Sequence, residues 1–312
     1  MTTTAPAERP MLAGDPRRQR RERLTHRFFL GAALLGIVIS GAIVFSLLGN
    51  AVGFVTGLDN PWGLITESGW FPRRGRFDIT TPIVGSIVVS IISLLVAGPV
   101  GLGAALYLSE YARPRVRRVV KPILEILAGV PSVVLGFFAL TFITPEFVQR
   151  FFDSAGAFNY LSAGIAVGFL VTPLMASVTE DALRAVPMEL REASYGLGAR
   201  KRTTVLKVVL PAAVSGIVAA LILTISRAIG ETMVVTIAAG GSGGAAFAWK
   251  PTHGGITLPS AIANLATGSD NVVAAGTNAV DSLYFVGMVL FLFTLGLNLL
   301  GTRVVRKYRK VY

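Results

Sequence analysis

The chain of 312 residues contains no cysteine. Disulfides, zinc–thiolate centres and cysteine nucleophiles are therefore excluded. Histidine is nearly as scarce. His26 and His253 lie far apart and give no metal-ligand spacing. Charge is sparse too: 15% of residues are charged and 53% hydrophobic, a balance wrong for a soluble domain of this length. The glycine-rich stretch 240–244 lacks a following Gly-Lys-Ser/Thr, so it is no phosphate-cradling P-loop and reads as a flexible turn. No Ser/His/Asp set and no convincing internal repeat stands out. The sequence shows no nucleotide site and no cofactor site of its own.

What the chain does have is long apolar runs. Crossing about 30 Å of hydrocarbon takes about 20 apolar residues in a helix, and six stretches qualify: 28–50, 83–108, 119–143, 161–178, 212–239 and 282–302. Each must be helical, because an isolated strand cannot satisfy its backbone in lipid. The expected fold is all-α with six transmembrane helices, kinked where Pro99, Pro131 and Pro173 fall inside spans. Residues 1–27 are polar and Arg-rich with Pro6, Pro10 and Pro16, and read as a disordered basic tail. The first apolar run is too long for a cleaved signal peptide. A first helix and outer loop would occupy 28–81, the core 82–302 and a basic tail 303–312.

The net charge of +12 is of the size seen in nucleic-acid binders, but the basic residues cluster at the ends of apolar runs. Twenty-three Lys and Arg fall on one side and five on the other, which assigns both termini to the cytoplasm of a multi-pass protein in the inner or plasma membrane. Two outer loops, 51–82 and 240–281, carry Trp62, Trp70, Phe71 and Trp249, aromatics suited to the lipid interface.

The longest inner loop, within 179–211, carries Glu192-Ala193-Ser194, then Gly198, Val208 and Leu210-Pro211. Pro187 suits a helix start. A helix over 188–195, a turn at Gly196 and Gly198, and a second helix over 203–209 stopping at Pro211 would make a hairpin standing off the membrane. The charges alone fit an amphipathic linker on the headgroups; the full pattern favours a docking element. It resembles the Glu-Ala-Ala loop of type I ABC importer permeases. That resemblance implies a MetI-like core of about six helices and a dimer with a like subunit. It also implies that Glu192, Ala193, Ser194, Gly198, Leu210 and Pro211 couple the chain to a cytoplasmic ATPase. Ser194 and Val208 stand where Ala and Ile are commonest, both conservative in size.

Two full charges interrupt the fifth span, in Arg227-Ala228-Ile229-Gly230-Glu231-Thr232-Met233. On a continuous helix Arg227 and Glu231, four apart, share a face and can pair. They either fix packing as a salt bridge or serve an anion in transit. In the second case Arg227 offers a planar fork of donors that stays protonated, and Glu231 weakens the hold so the ion can leave. This segment is similar to that of the PstC-type permeases of phosphate importers, as are Val130-Pro131-Ser132-Val133-Val134-Leu135-Gly136 and Leu108-Ser109-Glu110-Tyr111-Ala112. The resemblance covers about residues 80–312.

The narrower resemblance implies an anion path at Arg227, Glu231 and Thr232 for inorganic phosphate. It implies a PstA-type permease as heterodimer partner, a PstB-type ATPase dimer that binds ATP and Mg, and a PstS-type phosphate-binding protein. The chain itself would be a transport subunit and not an enzyme. A permease for another oxyanion, molybdate or sulfate, an ion-coupled secondary transporter, and a scaffold that signals phosphate status to a sensor are the competing readings. Elsewhere, Lys121 and Glu125 read as a surface helix pair, and Glu180 and Asp181 as solvated charges at the end of span four. Gly98, Gly101 and Gly103 read as close helix packing.

Overall fold

The structure is a computed structural model, which describes residues 16–241, 243–267 and 277–308. The chain divides into two compact units, Met1–Gly49 and Asn50–Tyr312. The first is helical as far as it is described. Helix α1 runs Pro16–Thr56 and carries the boundary between the units. The expectation of a disordered tail to residue 27 is thereby corrected for 16–27, and residues 1–15 lie outside the described ones. Proline at a helix start loses no hydrogen bond. The Arg, Gln, Glu and Leu that follow it are good helix formers feeding straight into an apolar helix.

The second unit opens with a short helix, α2 (Gly63–Thr66), and a hairpin of β1 (Trp70–Phe71) and β2 (Arg76–Phe77), antiparallel with Trp70 opposite Phe77. Asp78 follows the hairpin, fully buried and satisfied. Its carboxylate accepts from the backbone of Gly69 and Thr80 at 3.1 and 3.0 Å and from the Thr80 and Thr81 hydroxyls at 2.5 Å each. It so holds the N–H of Thr80, the first residue of α3 (Thr80–Leu106). Trp70 was expected at the lipid interface and is buried instead, with ring centroids 6.0 Å from Phe77, which lies 5.1 Å from Phe54. Trp62 and Trp249 are exposed. The glycine run is a held turn rather than a free linker. Gly240, Gly241, Gly243 and Gly244 all take positive φ, and Ala245 exchanges two backbone hydrogen bonds with Trp70 at 2.8 and 2.9 Å.

Helix α3 continues as a π-helical turn through Tyr111. Then come α4 (Pro114–Ala128), α5 (Ser132–Phe151, π-helical over Ala139–Val148), α6 (Tyr160–Arg184), α7 (Met188–Gly196) and α8 (Lys201–Ala212). The chain ends with α9 (Val214–Ile229), α10 (Met233–Ala238), α11 (Leu258–Ala266) and α12 (Thr277–Tyr308). The stretches 268–276 of the outer loop and 309–312 of the C-terminal tail lie outside the described residues. Among the described residues five helices, α1, α3, α5, α6 and α12, are long and apolar enough to cross a membrane. The pair α8 and α9, bent by 67°, makes a sixth.

With that pair counted as one span the number matches the six apolar runs, but the fifth, expected over 212–239, ends at Ile229 and takes in the helix from Lys201, and the third span is displaced as well. It was expected over 119–143 and is Ser132–Phe151. Pro131 forces extended geometry on its neighbour, and its own ψ of 130° turns the chain. The preceding α4 is consequently a separate helix with no buried residue and with Arg115, Arg117, Arg118 and Lys121 along it. Span four likewise runs on to Arg184, past its expected end at 178.

Helices α3 and α6 share the most extensive packing. Inside lipid, apolar surface gives no drive to associate, so close approach by small residues does the work. A Cβ on Gly101 would come within 2.8 Å of Met175, so this glycine does serve packing; Gly98 and Gly103 face open space and do not. One buried cluster fills mid-bundle around Ala139, Val167, Val171 and Val234. A second joins Phe54, Trp70, Ile256 and Leu258 at the start of α3, and a third joins Ala105, Leu183, Val186 and Val209 at its end. The 27 residues of α3 set these two ends about 40 Å apart.

Candidate functional site

The hairpin at the α3 foot forms for local reasons. Pro187, extended at ψ 144°, precedes the helix-forming run Met188-Glu189-Leu190-Arg191-Glu192-Ala193. Helix α7 ends at Gly196, and Gly198 takes φ +77°, a conformation open to glycine at little cost. Its N–H donates to Tyr195 at 2.9 Å and that of Ala199 to Ser194 at 3.1 Å, closing the helix end. The hydroxyls of Ser194 and Thr204, 2.9 Å apart, then tie α7 to α8.

The second helix differs from the expected 203–209. It starts at Lys201, winds as a π-helix over Val205–Val209, passes through Pro211 and ends at Ala212. Proline cannot donate to the carbonyl four residues back, and the 67° bend into α9 follows directly. Glu192, Ala193 and Pro211 are exposed, and Leu210 is half-buried. With them Met188, Tyr195 and Leu197, the last 90% exposed, present an apolar ridge.

Sequence reasoning missed what holds this hairpin to the bundle. The Arg191 guanidinium donates to the carbonyls of Val186 and Leu183 at 2.5 and 2.8 Å and to the Glu110 carboxylate at 3.1 Å. Both side chains of the pair are largely enclosed, 11% and 7% exposed. Lys201 lies 5.0 Å above the Tyr111 ring. The available signal was the Leu108-Ser109-Glu110-Tyr111-Ala112 segment, whose acid and aromatic sit on the π-helical turn. Such turns recur at functional sites.

The charges of the fifth span lie at the other end of α9, whose 16 residues put about 24 Å between the two groups. Arg227 is in the last turn of α9. Gly230 ends that helix, and the Glu231 N–H closes back on Ala228 at 3.2 Å. Glu231 therefore stands outside the helix, and the expected i, i+4 pairing is not made. Among the described residues no ion pair joins it to Arg227. Its half-buried carboxylate lies beside the Val234 N–H and the Ser132 hydroxyl, with Arg227 at longer range. A Cβ on Gly136 would come within 3.1 Å of Val234, so this glycine lets α5 close on α10 and brings Ser132 to Glu231. Thr232 is half-buried and donates its hydroxyl to the Gly230 carbonyl at 3.3 Å.

Arg227 opens onto a cavity of about 440 Å³ between α4, α6 and α9, shared with Lys121, Glu125, Ser177 and Glu180. Glu180, expected as a solvated charge, is 1% exposed. Arg117 from α4 donates to it, and the Lys121 ammonium stands 3.6 Å from its other oxygen and 3.8 Å from Asp181. Lys121 thus pairs across to α6 rather than along its own helix to Glu125. Among the described residues the Arg227 guanidinium has no hydrogen-bond or ion-pair partner within 4 Å. An uncompensated guanidinium inside a span is costly by several kcal/mol and is kept where it faces a polar path. Its planar fork is suited to grip an oxyanion by two charge-assisted hydrogen bonds. No cluster of three His, Cys, Asp or Glu able to hold a metal occurs among the described residues.

Residues 97–310 match the model of a family described as the binding-protein-dependent transport system inner membrane component. The chain is 32% identical over 275 residues to the probable ABC transporter permease protein YqgH of Bacillus subtilis (strain 168), covering 87% of this chain and 88% of that protein. It is 33% identical over 284 residues to the phosphate transport system permease protein PstC 1 of Mycobacterium tuberculosis (strain ATCC 25618 / H37Rv), covering 83% and 82%. Among solved structures, one chain of a bacterial ABC transporter involved in the import of the acidic polysaccharide alginate superposes with a TM-score of 0.62. It shares 16% identity and covers 94% of this chain and all of that one.

Proposed function

The chain belongs to the binding-protein-dependent transport inner-membrane family of ABC importer permeases, a multi-pass transport component and not an enzyme, and on that premise we propose that it is the PstC-type half of a phosphate importer. The second half is a PstA-type permease. A PstB-type ATPase dimer, binding ATP and Mg, docks on the α7–α8 hairpin. A PstS-type protein delivers inorganic phosphate to the opposite face. Both termini and the hairpin are cytoplasmic, in keeping with twenty-three basic residues on that side against five.

The observation that carries this reading is Arg227: a permanent cation in an apolar helix, facing a cavity, with its donors uncommitted among the described residues. Glu231, set apart by the helix break, tempers the attraction at longer range so that the ion is not trapped. Breaks of this kind in membrane helices are tolerated where they line a path.

The test is uptake by the assembled complex in vesicles. Two charge-assisted hydrogen bonds at about 1.5–3 kcal/mol each give an expected loss of at least ~100-fold in phosphate uptake for Arg227→Gln, with the subunits still co-purifying. Wild-type uptake would overturn the role of Arg227. Sulfate or molybdate uptake in place of phosphate would move the reading to another oxyanion, and uptake surviving ATP depletion would replace it with a secondary transporter. Docking is tested separately by Glu192→Lys, which inverts an exposed charge on the hairpin. It should weaken ATPase retention about tenfold, corresponding to ~1.4 kcal/mol; undiminished retention removes Glu192 from the interface.

A further inference from the structure

We propose that Lys121 is a second anion-holding residue, which receives the oxyanion as it leaves Arg227. The proposal rests on the reading of Arg227 given above. The two cations line one cavity from different helices, α4 and α9. Lys121 is the less committed member of its cluster. Glu180 is already satisfied by Arg117, which donates to it directly. The Lys121 ammonium stands 3.6 Å from Glu180 and 3.8 Å from Asp181, in both cases beyond hydrogen-bond reach. Asp181 is 67% exposed, so its attraction is screened by water. An ammonium carries three donors on a flexible stem, and Lys121 makes no hydrogen bond among the described residues.

One turn before Glu180 on the same helix, Ser177 lines the cavity with a hydroxyl likewise uncommitted among the described residues. Ammonium and hydroxyl together are the donor set for an oxyanion that has shed the Arg227 fork. Glu180 supplies the return. It stays neutralised by Arg117 while Lys121 swings to the anion, and it reclaims Lys121 when the anion departs. Glu125, on the wall beside them, repels a lingering anion. The device transfers no proton and makes no covalent bond; one ammonium alternates between two negative partners.

The experiment uses the full complex in vesicles with inorganic phosphate. Lys121→Gln should lower the maximal uptake rate about tenfold, the loss of one charge-assisted contact, while leaving the half-saturating concentration within about twofold; Lys121→Arg should restore most of the rate. Because the chain contains no cysteine, Lys121→Cys places a single thiol in the cavity. A cationic thiosulfonate that re-installs an ammonium should rescue uptake, and phosphate should slow the labelling several-fold. That protection separates anion binding from mere pinning of α4 to α6, which phosphate would not disturb. Undiminished uptake by Lys121→Gln, or labelling indifferent to phosphate, overturns the proposal. If Arg227→Gln is inactive and Lys121→Gln is normal, only the second station falls; if Arg227→Gln transports normally, both fall.

Discussion

Arg191 and Arg227 carry the same guanidinium into opposite surroundings. Arg191 lies outside the apolar spans, where water could serve it, yet its side chain is 11% exposed and donates to two carbonyls and to Glu110. Arg227 lies in an apolar helix, where a partner is most needed, and among the described residues it has none within 4 Å. Arg227 is exposed, whereas Arg191 is largely enclosed. On the function proposed above, the first side chain holds the fold and the second is left to serve a ligand. At the hairpin a part-buried, many-bonded arginine fixes α7 to the α3 foot. In the cavity an uncommitted one leaves its fork available.

The contrast predicts that the two substitutions fail in different measurements. Arg191→Ala leaves the Glu110 carboxylate, 7% exposed, without a cation and with only the Ser109 hydroxyl at 3.2 Å. Breaking a buried pair from one side costs about 3–5 kcal/mol, to be read as a lowered unfolding midpoint of the purified complex. Adding Glu110→Gln should recover part of that loss, since the stranded charge is removed. A midpoint equal to wild type would mean that the hairpin is not held by this pair. Arg227→Gln, which has no partner to strand, should not lower stability even as uptake falls. A loss of stability as large as that of Arg191→Ala would erase the distinction.

What could be read from the sequence was what is local. The hairpin was legible because Pro187, Gly198 and Leu210-Pro211 act within a few residues of themselves. The place of Arg227 inside an apolar helix was legible because a charge stands out in such a run. The misplaced third span shows where composition gives out: 119–143 is apolar enough, and only the backbone restriction at Pro131 separates α4 from α5. The Arg227–Glu231 pairing failed because it assumed a helix across Gly230. Glu180 was misjudged because its partner Arg117 is 63 residues away in the chain, and no spacing rule reaches that far. Residues 16–27 read as disordered on their charge, but their helix propensity and the apolar continuation of α1 favour a helix.

The smallest effect tests whether the hairpin has a second attachment. Lys201 stands 5.0 Å above Tyr111 at the start of α8, close to the Arg191–Glu110 pair through the shared Glu110-Tyr111 segment. An exposed cation–π contact is worth about 0.5–1 kcal/mol, so Lys201→Gln should lower stability by that much. Tyr111→Phe keeps the ring face and should change little, whereas Tyr111→Leu removes it. If the contact is real, Lys201→Gln and Tyr111→Leu are not additive, and a double-mutant cycle returns a coupling of about 0.5 kcal/mol or more. A coupling of zero would leave Arg191 as the hairpin's sole charged tether among the described residues. The contrast with Arg227 would then be sharper, because one guanidinium would hold α7 alone.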